Sequence, residues 1–193
     1  RGNDIDGEGD YIGHNSGHSV SLSGDGSVVA IGAPNRGGYV RVYKWNGSSW
    51  IKEGSDIFGD WSRDLSGFAV SLSSDGSVVA IGAPNNDDNG TDSGHVRVYK
   101  WNGSAWNQQG QNIDGEAIWD ESGTSVSLSG DGSVVAIGAP RNGAFDTDLY
   151  AGHVRVYKWN GSAWIQRGND IDGEAKNDRS GTSVSLSGDG SVV

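Results

Sequence analysis

One sequence unit recurs along the whole chain of 193 residues, and this repetition limits the possible folds more than any other feature. The unit SVSLSGDGSVVAIGAP, or a close variant of it, begins at Ser19, Ser71, Ser125 and Ser183. The aspartates of its Asp-Gly pair lie 50, 56 and 58 residues apart. Periods of this length are typical of repeat architectures, in which each unit is one supersecondary structure and neighbouring units share a core.

Each unit is predicted to contain four short strands. SVSLS alternates polar and apolar residues, Asp-Gly supplies a tight turn, and SVVAIGAP suits a strand covered on both faces. YVRVYKW or HVRVYKW forms a third strand, and a two-residue Asn-Gly turn is predicted to lead to a fourth strand near Trp50, Trp106 and Trp164. The pattern predicts an all-β fold of β-propeller blades, with four-stranded antiparallel repeats of about 50 to 58 residues.

The repeat boundaries divide the chain into three whole blades and two partial ones. Residues 13–60, 61–116 and 117–174 each form one predicted blade. Residues 1–12 match the outer-strand end of a preceding blade, and residues 175–193 match the first two strands of a further, incomplete blade. These pieces lack one third strand, so we expect flanking repeats or another copy of the chain to complete the array.

Composition excludes several classes of function. The 25 acidic and 14 basic residues give a formal net charge of −11, which disfavours binding to nucleic acid. No apolar run approaches the ~20 residues that a membrane-spanning helix needs, so no membrane insertion is expected. The chain has no cysteine, which removes disulfides and thiolate metal sites.

The recurring pattern D-x-S-G-x-[SA]-V-S-L-S-x-D-G-S-V-V-A-I-G-A-P resembles the FG-GAP repeats of integrin-α-like β-propellers. Gly-Ala-Pro at 32–34, 82–84 and 138–140 is the closest match, whereas Ser-Gly stands where the family has Phe-Gly. Many family members bind calcium through a D-x-[DN]-x-D-G-x-x-D loop, of which only the middle Asp-Gly survives here. Calcium needs six or more oxygen ligands, so the remaining aspartates are interpreted as turn residues: Asp25, Asp75, Asp131 and Asp189.

One other loop is rich enough in oxygen ligands to suggest calcium, the only cofactor that the sequence suggests. It follows Gly-Ala-Pro in the second blade and reads NNDDNGTDSG, whereas the matching loops of the other blades are less polar. The candidate ligands are Asn86, Asp87, Asp88, Asn89 and Asp92. A polar surface loop without a metal is the alternative.

Acidic residues and histidines also recur between the blades. The acidic positions, with one histidine, are Glu8, Asp10, His14, Asp60, Asp64, Glu116, Asp120, Glu174 and Asp178. Paired carboxylates can act as acid and base in glycoside hydrolysis, but a motif present in every unit favours a structural role such as capping backbone amides. His95 and His153 precede the third strand, where packing at the strand end is expected.

The third and fourth strands carry an aromatic cluster in each blade. With the predicted two-residue turn, Tyr43 would face Trp50 across the ladder. The cluster either fills the space between blades or forms a sugar-stacking surface. The candidate carbohydrate-binding residues are Arg41, Tyr43, Trp45, Trp50, Arg97, Tyr99, Trp101, Trp106, Arg155, Tyr157, Trp159 and Trp164.

Four Asn-x-Ser/Thr sequons accompany these features and mark candidate N-glycosylation sites: Asn46, Asn89, Asn102 and Asn160. The preference of hairpins for Asn-Gly explains three of these asparagines without a glycan.

Two functions remain open. The first is a non-enzymatic extracellular or cell-surface structural or adhesion protein. It would contact other copies, flanking repeats or extracellular proteins, and one form of it self-assembles into a fibre or larger array. The second is a lectin-like propeller with one aromatic glycan site per blade. An enzyme is disfavoured because no candidate residue set is unique to one place in the chain.

Overall fold

The computed structural model describes residues 2–7, 13–143 and 150–193, and its secondary structure there consists of strands and turns. The first sheet contains β1 Ser19–Leu22, β2 Val28–Ala33, β3 Tyr39–Trp45, β4 Trp50–Lys52 and β5 Ile57–Phe58. The second contains β6 Ala69–Leu72, β7 Val78–Ala83, β8 His95–Trp101, β9 Trp106–Gln108 and β10 Ile113–Asp114. The third contains β11 Ser125–Leu128, β12 Val134–Ala139, β13 His153–Trp159, β14 Trp164–Gln166 and β15 Ile171–Asp172.

All three sheets have the same antiparallel topology. In the first, β2 lies between β1 and β3, and both β4 and β5 pair with β3. These last two strands are pieces of a single fourth strand, which is interrupted at Gly54 with a φ of 80°. Each sheet is therefore a four-stranded propeller blade with a broken outer strand, as the repeat pattern predicted.

The hydrophobic core lies between the blades. Aliphatic side chains from the second and third strands and from the second part of the outer strand meet the first two strands of the next blade, and Trp164 joins the second of these layers. The first such layer contains Val28, Ala30, Val40, Val42, Ile57, Val70, Leu72, Val79 and Ile81. The second contains Val78, Ala80, Val96, Val98, Ile113, Leu128, Val135, Ile137 and Trp164. A single blade cannot bury both of its faces, so each blade is stabilised by its neighbours.

The Gly-Ala-Pro motif brings two backbones unusually close together. A Cβ atom added at Gly82 would collide with the carbonyl oxygen of Gly123, the glycine of Ser-Gly in the next blade. Gly32 has the same relation to the carbonyl oxygen of Gly67. These glycines recur because one blade's second strand packs directly on the backbone that enters the next blade.

The aromatic hairpin differs from the predicted two-residue turn. Trp45 pairs with Trp50, and Tyr43 pairs with Lys52 rather than with Trp50. The loop therefore holds four residues. The side-chain oxygen of Asn46 accepts hydrogen bonds from the amides of Ser48 and Ser49, both at 2.9 Å, so the asparagine caps the loop instead of forming its centre.

Residues 175–193 were predicted to form two strands, but the structure shows only the turn between them. The amide of Ser187 donates to the carbonyl oxygen of Val192 at 2.9 Å, and no ladder extends from this contact within 175–193. In each complete blade a third strand pairs with the second, and a hairpin without that cover is only marginally stable. The segment still occupies the next blade's place, because Gly130 donates to the carbonyl oxygen of Gly188 at 2.7 Å.

Residues 2–7, predicted as the end of an outer strand, also contain no assigned strand, although Gly2 lies against Trp45 and Trp50. Across the described ranges, no helix is long and apolar enough to cross a lipid bilayer.

Candidate functional sites between the blades

The aromatic hairpins contact the preceding blade. Trp101 and Trp106 pack with their ring centroids 5.4 Å apart, and the other two tryptophan pairs are separated by 5.5 Å. The indole nitrogen of Trp106 donates a 2.8 Å hydrogen bond to the carbonyl oxygen of Glu53. Trp164 makes the same bond to Gln109 at 2.7 Å. Trp106 and Trp164 are therefore each hydrogen-bonded to the preceding blade.

The same tryptophans line two equivalent grooves on the outer surface. One, of about 390 Å³, lies between Trp45 and Trp101 and is also lined by Lys44 and Lys52. The next, of about 440 Å³, lies between Trp101 and Trp159. The grooves bring together tryptophans from adjacent blades, whereas the sequence had grouped the aromatic residues within each blade.

The arginines of the third strands form ion pairs with carboxylates. Arg41 contacts Asp56 at 3.0 Å, and Arg155 contacts both Glu116 and Asp170. These contacts direct the guanidinium groups toward protein carboxylates rather than toward the grooves.

Arg97 does not pair with its own blade's outer strand, because Asn112 stands at the position that Asp56 and Asp170 occupy in the other two blades. It reaches the preceding blade, where it contacts Asp60 at 2.9 Å and donates to the carbonyl oxygen of Phe58 at 2.9 Å. Arg97 therefore ties the second blade to the first.

Tyr99 and Tyr157 are partly buried and pack against the two inter-blade cores, while Tyr43 is buried in the first blade. Burial raises the pKa of the phenol groups of Tyr99 and Tyr157. Both are therefore core side chains with a polar end rather than exposed stacking platforms.

The five candidate calcium ligands in the second blade do not converge on one point. Asn86 is buried and donates to Asp64 at 3.0 Å, whereas Asn89 donates to the carbonyl oxygen of Gly115 at 2.7 Å. Asp87 accepts a hydrogen bond from the backbone amide of Asp92 at 2.8 Å. These side chains hold the loop against the neighbouring segments.

Asp88, the remaining candidate calcium ligand, lies beside His95. Its Oδ2 atom is 3.5 Å from the Nδ1 atom of the imidazole, and a carboxylate oxygen of Asp114 is 3.9 Å away. His95 is fully buried, and burial together with the charge of Arg97 lowers its pKa to about 4, so the ring is neutral at pH 7. Sequence spacing gave no sign of this cluster because its members come from separate elements.

The buried acidic positions between the blades cap backbone amides, as the sequence predicted. Asp64 accepts from the amide of Trp61 at 3.1 Å, and Asp120 accepts from that of Ala117 at 2.9 Å. Burial raises the pKa of both carboxyl groups. Asp178 makes the equivalent bond in the next segment. Glu8 and Asp10 lie outside the described residues.

The degenerate calcium loops form hydrogen-bonded turns. Asp25 accepts from the hydroxyl of Ser23 at 2.8 Å and from the amide of Ser27 at 2.9 Å, which lowers its pKa to about 2. Ser21 stands at the family's first ligand position and accepts a 2.9 Å bond from the amide of Leu72 in the next blade. These serines therefore make hydrogen bonds inside and between blades.

Comparison with known proteins agrees with this architecture. The chain is similar in structure to a protein named as a 6-phosphogluconolactonase from Bacteroides uniformis, with a TM-score of 0.55, 13% identity and coverage of 80% of this chain and 40% of that one. It is also similar to Sqt1 of Saccharomyces cerevisiae, with a TM-score of 0.52, 12% identity and coverage of 85% and 38%. It is similar as well to Kuenenia stuttgartiensis hydrazine synthase, with a TM-score of 0.54, 12% identity and coverage of 92% of this chain and 42% of that one.

These likenesses concern the fold alone, and the chain spans about two fifths of the length of each of these structures. None of the curated protein sequences compared with the chain matches it. Residues 60–99 match the family model of the FG-GAP repeat, the family that the Gly-Ala-Pro and Asp-Gly pattern indicated. The chain is therefore built of β-propeller blades, and residues 60–99 are similar to an FG-GAP repeat.

Proposed function

We propose that the chain is a non-enzymatic structural or adhesion module of the cell surface or extracellular space. The observation that carries this proposal is the use of its tryptophan indoles, arginines and buried aspartates in contacts that recur from blade to blade. Enzymes place catalytic groups in one asymmetric site. Here the same groups fasten repeats together, while the acidic surface and the sequons suit a secreted protein.

The first and third blades each have one face that is not packed against another complete blade, and these two faces suggest what such a module contacts. Leu22 of the first blade is 57% exposed, whereas its equivalents Leu72 and Leu128 are 7% exposed. Ile171 of the third blade is 46% exposed, whereas Ile113 is 4% exposed. Apolar surface of this kind favours contact with flanking repeats or with other copies, and repeated end-to-end contact would build a fibre or larger array.

Light scattering coupled to size exclusion, over a range of concentrations, tests self-association of the chain. The expected result is a mass that rises with concentration, and a Leu22→Asp variant should lower the apparent association. Ser104→Asp adds the same charge on an exposed hairpin and should have no effect. A monomer at every concentration, or equal association of Leu22→Asp, would contradict self-assembly.

A lectin-like role is the second candidate, and the two tryptophan-lined grooves are the observation that favours it. Their similar volumes and lining would give equivalent glycan sites along the outer rim. A glycan array probed with the native chain and with Trp45→Ala tests this role. Trp61→Ala removes an exposed tryptophan that does not line either groove. A signal that is reduced in Trp45→Ala, which alters one of the two grooves, but not in Trp61→Ala would support the sites, and a blank array would reject them.

A further inference from the structure

His95 is a buried polar side chain whose ring nitrogens are unsatisfied among the described residues. It begins the third strand of the second blade, is completely buried, and makes no well-formed hydrogen bond to a described residue; the carboxylate oxygen of Asp88 lies 3.5 Å from its Nδ1 atom. An unsatisfied buried polar group destabilises the folded chain, so such a group calls for an explanation. A ligand that accepts the imidazole lone pair would provide one.

The carboxylates around His95 identify the chemistry of that ligand. Atoms of His95, Asp60 and Asp88 all lie within 4.8 Å of one another, and Asp114 is 3.9 Å from the imidazole. Neighbouring ligand atoms in a tetrahedral zinc site, with bonds of about 2.0–2.1 Å, are roughly 3.3 Å apart. We propose that His95, Asp60, Asp88 and Asp114 bind a divalent transition-metal ion of the Zn²⁺ class between the first and second blades.

Charge and mobility suit this site. Three carboxylates and the guanidinium of Arg97, which contacts Asp60, give this group a formal charge of −2. A dication balances that charge. The Asp88 and Asp60 side chains are each 41% exposed, so their carboxylates have room to adjust to the spacing that coordination requires. The imidazole closes the buried side of the site, and mixed nitrogen and oxygen ligands favour zinc over calcium.

The third blade holds a comparable group, whereas in the first blade Tyr39 occupies the position of His95. Ligand atoms of Glu116, His153 and Asp170 also lie within 4.8 Å of one another, but Arg155 contacts both of these carboxylates. In the second blade Arg97 contacts Asp60, while Asp88 accepts from Asn112 at 3.3 Å. Among the described residues, the second-blade group is therefore the one of the two in which a carboxylate beside the histidine forms no ion pair with an arginine.

Isothermal titration of the EDTA-treated chain with Zn²⁺, in physiological salt and millimolar Mg²⁺, tests the proposal. One saturable site per chain is expected, with Ca²⁺ unable to displace Zn²⁺. Asp88→Asn and His95→Tyr should each weaken binding by at least about tenfold, a loss that removal of even a supporting group can cause near a metal. His153→Tyr is the matched control and should bind as the native chain does.

Nitrogen NMR of the four histidines supplies a second readout. Only the ring-nitrogen signals of His95 should shift on addition of one equivalent of Zn²⁺. Cooperative melting in EDTA checks that each variant is folded, and Asp88→Asn, at a partly exposed position, keeps the test valid if His95→Tyr does not fold. The proposal is wrong if no saturable site is found, if both variants bind normally, or if other histidines shift instead.

Discussion

The indole of Trp106 donates its hydrogen bond to the carbonyl oxygen of Glu53, and so connects the hairpin of one blade to the broken outer strand of the blade before it. Gly54 follows that carbonyl, has a φ of 80°, and lies against the ring of Trp101. The break in the outer strand therefore leaves the carbonyl oxygen of Glu53 available to the indole, and the absence of a side chain at Gly54 makes room for the rings of Trp101 and Trp106. The contact between neighbouring blades therefore depends on the hydrogen bond between Trp106 and Glu53 as well as on the aliphatic core.

Replacing Trp106 with Phe should destabilise the chain by about 1–2 kcal/mol, because the ring contact is partly kept while the carbonyl of Glu53 loses its donor. The free energy of unfolding in urea measures the change. Trp61→Phe, at a side chain that is 69% exposed, should change stability by less than about 0.5 kcal/mol. Equal effects of the two substitutions would show that the indole bond contributes nothing.

Replacing Gly82 with Ala should cost about 3 kcal/mol or more, because the added methyl group meets the backbone oxygen of Gly123 and neither strand can move without separating the blades. Thermal or urea unfolding measures the loss. Gly188→Ala is the control, since nothing lies within 4 Å of its added Cβ. A tolerated Gly82→Ala would mean that the blades can separate without loss of the core.

The strands and turns of the blade follow from local sequence. The alternation in SVSLS and the Asp-Gly turn predict the pairing of Ser19–Leu22 with Val28–Ala33, since both signals act over a few residues. The length of the hairpin loop could not be predicted, because Asn-Gly suits a two-residue turn as well as the four-residue loop that the structure shows. The hydrogen bonds that Asn46 accepts from Ser48 and Ser49 stabilise the longer loop. The break at Gly54 recurs at Gly110 and Gly168, where φ is 82° in both cases. Nothing lies within 4 Å of a Cβ added at Gly168, so the break does not require the tryptophans of a following blade.

The site at His95 could not be predicted for a related reason. Asp60 lies in the connection between blades, Asp88 in a loop of variable length, and Asp114 in the fourth strand. Sequence spacing recognises metal sites whose ligands share one element, whereas these ligands meet only through blade packing. Asp114 pairs with His95 in the ladder between β10 and β8, and this register is known only from the folded structure.

Stability should fall as the pH drops below 6.5 because of His153. Burial lowers its pKa in the folded chain, although Asp170, Asp120 and Asp172 oppose the shift. The unfolded chain therefore binds the proton first, and folding stability rises with pH between the lowered pKa and 6.5. Urea unfolding from pH 4 to 8 should show a smaller slope in His153→Tyr than in the native chain. His18→Tyr, at an exposed position, should keep the native slope, and identical slopes in all three proteins would contradict the buried neutral state.

Glycan occupancy should differ among the four sequons when the chain is expressed through a eukaryotic secretory pathway. The hairpin loops use the side-chain oxygens of Asn46, Asn102 and Asn160, and a glycan is attached through the nitrogen, so these exposed sites are compatible with modification. Asn89 instead uses its nitrogen to donate to the carbonyl oxygen of Gly115, and a glycan there would break that bond.

Intact-mass analysis before and after deglycosylation should therefore find at most three glycans. Asn102→Gln should remove one glycan mass, whereas Asn89→Gln should leave the mass pattern unchanged apart from the substitution itself. Because Asn89 holds the variable loop against Gly115, just after the outer strand of the same blade, its replacement should lower stability, whereas the loss of a glycan at Asn102 should not. A glycan on Asn89 in the folded, secreted chain would show that the loop leaves this position before folding is complete.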